Sequence, residues 1–462
     1  MDLKGKLSVV KFGGSLLDPR GKNIPTLLKR IRELKNRYDL GPIVVLSAPN
    51  GFTDKLIGAG ESYSQSKPVS IDSIFSSYEG IAKTFVKGRY LKQLLSELVN
   101  YRDETYEVLT SINKRFHGNA KAKVLTSGGE LPFSVLVKYI MRANGLNACH
   151  ISKEHWPVVT DDNFENATPL YETSKKRINY LIEPLEEGKV VSQAGFLGVT
   201  SDGLETILGR GGSDLTAVFI SCLLQKRYEV ETLLFKGVSV QSADPLIVGG
   251  QKTEHVTSLS YNEAQKASIM GMKIVQGIAT ATARRFKQPI KLVPIHDPAR
   301  FTVIRSEGAS GEIVKCVTGK SGCAILSMND EKSRSLEDSL RIWESRNDFL
   351  DLGTETLETG KRIRDFLFLD SDFIRKNEER LKGFDENLTI EYGIGVVTLI
   401  GDRMKGSPGV ASIAIGAMPD INIKRGIFAP HTSQIILVIE EKNVEATVAA
   451  IHLKREKMNR LR

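Results

Sequence analysis

The sequence predicts an α/β protein: a sandwich of helices around a mostly parallel central sheet, followed by two small α+β units. Three observations carry that prediction. Up to about residue 304, short β-branched runs at 7–10, 43–46, 124, 148–151, 190–191, 233–235 and 290–293 alternate with helical stretches. Such alternation covers a parallel sheet with helices on both faces. Glycine-rich turns follow several of these runs, where a parallel sheet presents its carboxyl ends to a ligand. From about residue 313 the texture changes to smaller units of strand, helix and strand.

Taken in order, the first run ends in Lys11, Phe12, Gly13, Gly14 and Ser15, ahead of a helical pattern over 24–34. A lysine closing a first strand before paired glycines is a phosphate cradle, with amides and an ammonium facing one charge. The spacing matches neither Gly-x4-Gly-Lys-Ser/Thr nor Gly-x-Gly-x-x-Gly. The run at 43–46 continues into Ser47, Ala48, Pro49, Asn50, Gly51, Phe52 and Thr53. The hydroxyls of Ser47 and Thr53 either bind a small polar ligand there or cap the next helix. Residues 70–118 are rich in helix formers with few turn signals, which predicts a helical excursion.

A strand is predicted at 124, ending in Thr126, Ser127, Gly128, Gly129 and Glu130, with Glu130 opening a helix where its charge suits the macrodipole. A strand and turn over 190–199 lead to Gly209, Arg210, Gly211, Gly212, Ser213 and Asp214. Glycine admits an anion close to backbone N–H groups, and Arg210 can clamp a carboxylate or phosphate with two parallel hydrogen bonds. Asp214 can orient cations or take an amine. A tight turn with a surface Arg–Asp pair is the alternative for this string alone.

Composition narrows the class. With 462 residues, 41% hydrophobic and 26% charged, the chain has the makings of a multi-domain globular protein. No apolar run reaches membrane-spanning length, and residues 1–8 are too polar for a secretory signal, so a cytoplasmic protein is expected. The four cysteines, Cys149, Cys222, Cys316 and Cys323, form no Cys-x-x-Cys pair, and neither a disulfide framework nor a metal site is indicated. The net charge of +9 attracts anions. Its basic residues are dispersed and not interleaved with aromatics, which argues against a nucleic-acid partner.

These glycine turns, in this order and at these separations, resemble those of the aspartokinases of the amino-acid kinase family. The resemblance extends through Leu259, Ser260, Tyr261, Asn262, Glu263 and Ala264 to Gly271, Met272 and Lys273. It implies an amino-acid kinase α/β/α sandwich over 1–304, followed by two α+β ACT domains over 311–388 and 389–462. The second ACT unit carries Gly401, Met404, Lys405, Gly406, Ser407, Pro408, Gly409 and Val410 before its helix, whereas the first has Asn329, Asp330, Glu331 and Lys332 in place of a glycine turn. Within these units, 313–328 reads as a strand pair and 335–346 as a helix.

The resemblance implies transfer of the γ-phosphoryl of ATP to the β-carboxylate of L-aspartate. Magnesium would enter with ATP, a lysine or threonine effector would bind the ACT units, and the chain would form a homodimer. Bringing two anions together demands positioning and neutralisation. Lys11 and Lys273 are expected at the transferred phosphoryl, with Asp214 organising them. Arg210 would hold the α-carboxylate of aspartate and Glu130 its ammonium, with Ser47 and Thr53 orienting it. Gly13, Gly14, Ser15 and Gly212 would donate to phosphate oxygens. Aspartokinases usually carry Thr-Asp-Val-Asp-Gly and then Asp-Pro-Arg; here stand Phe235, Lys236, Gly237, Val238, Ser239 and later Asp244, Pro245, Leu246. Lys236 is expected to restore a positive charge on the nucleotide side. A kinase of another small carboxylate and a silent amino-acid sensor are the alternatives.

Overall fold

The structure, a computed structural model, describes residues 3–209, 211–249, 252–272, 274–306, 311–342, 349–428 and 433–461. The chain divides into two compact units, Met1–Ser239 with Ile278–Ser306, and Val240–Gly277 with Glu307–Arg462.

Seven strands of the first unit share a sheet in the order Ala148–His150, Val190–Ala194, Leu40–Leu46, Lys6–Phe12, Glu229–Lys236, Ile290–Pro294 and Thr302–Arg305. Each neighbouring pair is parallel up to Ile290–Pro294, and Thr302–Arg305 turns back antiparallel. Lys6–Phe12 lies in the middle because its apolar residues need cover on both faces: Leu7, Val9, Val10 and Phe12 are fully buried. The chain leaves this strand toward Leu40–Leu46 on one side and returns much later as Glu229–Lys236 on the other. That reversal opens a crevice at the carboxyl ends of the two central strands.

The helical excursion is present as Asp72–Phe85 and Gly88–Ser111. Ile74, Phe75, Tyr78, Ile81 and Ala82 are buried at helical spacing on the first of these. The strand expected at residue 124 is absent: Val124 belongs to the helix Gly118–Leu125, which passes through a π-helical turn, Thr126–Glu130, into the helix Leu131–Ala143. Two apolar residues, Val124 and Leu125, bury equally well on a helix packed under other helices, and so short a run has no period that separates the two forms. Glu130 does lead into a helix, as expected.

In the second unit six strands form an antiparallel sheet in the order Phe349–Thr356, Arg362–Phe368, Cys316–Asn329, Thr389–Ile400, Gln434–Glu440 and Arg425–Ile427. The strand pair expected over 313–328 is one strand, Cys316–Asn329, whose register against Thr389–Ile400 shifts between Lys320 and Cys323. Gly322, with φ of 71°, absorbs that irregularity without breaking the ladder. One end of the strand contributes Val317 to a core with Val397, Leu437 and Val448, and the other contributes Leu326 and Met328 to a core with Phe366 and Ile374. Each core has its own helices, Asp330–Ile342 and Ser371–Lys382 in one and Val410–Gly416 and Val444–Leu453 in the other. Ala243 and Val248 join the Val397 core, and Glu263 pairs with Lys315 at 2.7 Å, both nearly fully buried. These contacts tie Val240–Gly277 to this unit.

Candidate active site

Register dictates where the first-strand lysine goes. Lys11 stands opposite Leu234 and Phe12 opposite Phe235. Side chains alternate along a strand, so Lys11 and Lys236 share one face while Phe12 and Phe235 stack on the other, their ring centroids 4.7 Å apart. The helix Gly212–Leu224, buried along its whole length, packs against both strands and carries Asp214 in its first turn. Gly211, with φ of 71°, turns the chain into that helix.

Asp214 is thereby set between two ammoniums. Lys11 Nζ lies 2.6 Å from Asp214 Oδ1, and Lys236 Nζ lies 3.2 Å from Oδ2. Burial alone would raise the carboxyl of Asp214, but Lys11 and Lys236 outweigh it and hold the group down at about 2. Lys236 is pushed below the ordinary lysine range, chiefly by burial and further by Lys11, with Asp214 opposing. Two cations on one anion leave an unneutralised positive charge at the strand ends. The glycine turn beside it has no room for side chains: a Cβ on Gly13 would stand 3.0 Å from Lys11 Nζ, and one on Gly14 would stand 2.9 Å from the carbonyl oxygen of Ala48.

Across the Ser47–Ala48 turn lies a second buried carboxylate. Glu130 is buried, and its Oε2 has no hydrogen-bond partner. Burial raises its carboxyl to about 7, opposed by the backbone N–H groups of Ala48 and of Glu130 itself and by Lys11. An unsatisfied buried carboxylate oxygen is costly and is relieved by an incoming cationic donor. The turn that carries it fits closely, since a Cβ on Gly128 would stand 2.6 Å from Leu56 Cδ2.

The structure thus brings together Lys11, Gly13, Gly14, Asp214, Lys236, Glu130 and the turn at Ser47. Ser47 donates its N–H to the carbonyl of Phe12 at 3.3 Å and is half-buried. Thr53 is the second residue of the helix Phe52–Ser64, whose Leu56 packs on Gly128. Ser15 is exposed within the short 3-10 turn Gly14–Leu16. Gly212 opens its helix, where a Cβ would stand 2.8 Å from both Leu208 and Phe196 side chains. Arg210 and Lys273 lie outside the described residues.

Sequence reading missed Tyr78, whose hydroxyl donates to the carbonyls of Gly128 and Gly129 at 3.1 and 2.8 Å. It stands inside the helical excursion with no motif around it. Among the described residues no group of three His, Cys, Asp or Glu side chains could hold a metal ion. Both oxygens of Asp214 are already occupied by ammoniums.

Known proteins share this arrangement of chain. The aspartokinase of Corynebacterium glutamicum is 26% identical over 407 residues, covering 85% of this chain and 94% of that one. Lysine-sensitive aspartokinase 3 of Escherichia coli is 23% identical over 426 residues, covering 89% and 91%. The crystal structure of E. coli aspartokinase III with aspartate and ADP superimposes with a TM-score of 0.76 over 98% of this chain and 99% of that chain, at 19% identity, a likeness of fold. The sequence model of the amino acid kinase family matches residues 6–293, a span that holds the parallel strands of the central sheet as far as Val293, both glycine turns and the two buried carboxylates. The chain belongs to the amino acid kinase family.

Proposed function

We propose that the protein is an aspartate kinase, transferring the γ-phosphoryl of ATP to the β-carboxylate of L-aspartate to give 4-phospho-L-aspartate. This is the entry step to lysine, threonine and methionine synthesis. The observation that carries the proposal is the pair of ammoniums on Asp214 at the ends of adjacent strands, with the unpartnered Glu130 oxygen across the Ser47–Ala48 turn.

The chemistry follows from charge. The acceptor carboxylate is ionised at neutral pH, so no general base is required, and the barrier is set by alignment and by repulsion between anions. Lys11, held by Asp214, offers a fixed ammonium to the transferred phosphoryl, and preorganised charge in a buried site is worth far more than in water. Lys236 supplies the second positive charge on the nucleotide side. Gly13, Gly14 and Ser15 offer backbone donors to phosphate oxygens, whereas the N–H of Gly212 donates to the carbonyl of Gly209 at 3.0 Å and Gly212 serves to let the helix start close to the turn. Glu130 takes the ammonium of aspartate, Ser47 and Thr53 orient the substrate, and the substrate α-carboxylate and the transferred phosphoryl are assigned to Arg210 and Lys273. Magnesium enters with the nucleotide, held by phosphate oxygens and water.

The central sheet and both buried carboxylates lie in the unit of 1–239 and 278–306, and the two cores that share the Cys316–Asn329 strand, expected as ACT domains over 311–388 and 389–462, bind an amino-acid effector such as lysine or threonine. The chain works as a homodimer in the cytoplasm, without a nucleic-acid or membrane partner. Among the described residues no helix is long and apolar enough to cross a membrane.

Hydroxylamine trapping tests acceptor and donor together, using aspartate, glutamate and acetylglutamate with ATP or GTP. Hydroxamate is expected with aspartate and ATP. Turnover of another acceptor alone, or of none, overturns the proposal.

A further inference from the structure

The π-helical turn that carries Glu130 is held from outside at each residue that precedes it. In this turn Leu131 donates its N–H to the carbonyl of Thr126, five residues back. The extra residue swings the following helix by about 100° relative to a regular helix. Such a turn interrupts the regular ladder, and its carbonyls need other donors. Those of Gly128 and Gly129 share the hydroxyl of Tyr78. The hydroxyl of Thr105 lies 3.0 Å from Ser127 Oγ, and Glu205 accepts from the hydroxyl of Thr126.

Tyr78 and Thr105 both belong to the helical excursion, one to each of its long helices. The ring of Tyr78 is fully buried and fixed edge-on between Phe52, at 5.3 Å, and Phe75, at 5.8 Å. A clamped ring delivers its hydroxyl to one place. The paired glycines match this, because close packing on Leu56 leaves the turn only its backbone by which to be gripped.

Resting on the assignment of Glu130 to the substrate ammonium, we propose that Tyr78 is a positioning residue for the acceptor, its hydroxyl fixing the π-helical turn that aims Glu130. The helical excursion is on this account a working part of the acceptor site, and Thr105 is its secondary support. The groups that face Glu130 are Lys11 from the first strand, the Ala48 N–H from the second turn, and Tyr78. Of these, Tyr78→Phe changes only the last.

The test is steady-state kinetics of the full chain carrying Tyr78→Phe, Thr105→Val or Glu130→Gln, with thermal melts of each. Losing one hydroxyl shared by two buried carbonyls is expected to raise the KM for aspartate about tenfold. The kcat and the KM for ATP stay within about twofold, since the phosphate end is untouched. The acid limb of kcat/KM for aspartate, set by Glu130 near 7, moves to lower pH as the loosened turn admits water. Thr105→Val shifts the same quantities by about threefold and carries the test should Tyr78→Phe fail to fold. A fall in kcat and melting temperature with an unchanged aspartate KM and acid limb overturns the inference. If Glu130→Gln raises the aspartate KM and neither hydroxyl variant does, positioning by the excursion is overturned while the Glu130 assignment stands. If Glu130→Gln leaves that KM unchanged, the assignment falls and the inference with it.

Discussion

Asp214 and Glu130 are both 4% exposed, yet one carboxyl is held at about 2 and the other is raised to about 7. Burial acts on both in the same direction. What differs is that Asp214 has an ammonium on each oxygen, whereas Glu130 has backbone N–H groups and one open oxygen. The Asp214 end, assigned to phosphate in the proposed function, is therefore prepaired within the protein, and its carboxylate keeps its charge at any physiological pH. The Glu130 end is left incomplete, and under the proposed function a cationic group of the substrate would supply the missing partner.

The largest effect that separates the two ends is expected from Asp214→Ala. It strands the buried ammonium of Lys11 beside the half-buried one of Lys236, and leaving a buried charge unpaired costs about 3–5 kcal/mol. Turnover is expected to fall by about 10³-fold or more as Lys11 loses its anchor. Denaturant melts and initial rates check both, and an active, stable variant would break the comparison.

Glu130→Gln is expected to act on stability in the opposite sense. Because the folded group is raised to about 7 from 4.5, the native state keeps a proton that the unfolded chain releases between those values, and stability falls as pH rises through that window. A shift of that size corresponds to about 3 kcal/mol, so the amide should stabilise the fold by up to that amount at pH 8 and by nothing at pH 4. Asp214 behaves in reverse, its contribution present above the ordinary aspartate value of 3.8 and lost as pH falls through about 2. Equal melting shifts for Glu130→Gln at pH 4 and pH 8 would remove the contrast.

The smallest effect belongs to Lys236→Ala. With Lys11 still on Asp214, the variant should fold and raise the KM for ATP about tenfold, leaving the KM for aspartate nearly unchanged. The reverse ranking would move Lys236 to the acceptor end.

Much of the Lys11–Asp214 cluster was legible because its signals are local. Lys11, Gly13 and Gly14 stand consecutively at one strand end, and Asp214 follows a glycine string by a few residues, so a short window contains both the chemistry and the backbone that aims it. Lys236 was expected to restore a charge on the nucleotide side. Its hold on Asp214 came from strand register, which fixes two lysines of separate strands on one face. Val124 was misread because a two-residue apolar run looks the same on a buried helix as on a strand. The stretch 313–328 was misread as a strand pair, whereas the structure carries Gly319, Lys320, Ser321 and Gly322 through as an irregularity in one ladder.

The sequence by itself determined the alternation of strand and helix, the order of the glycine turns and the types of charge gathered at the strand ends. These are properties of neighbouring residues, set by side-chain period and backbone freedom. Only the tertiary structure decided that Tyr78 would grip carbonyls 50 and 51 positions further along, and that Glu130 would be left with an open oxygen. Such outcomes depend on which surfaces meet when helices pack, and no short window of sequence records that meeting.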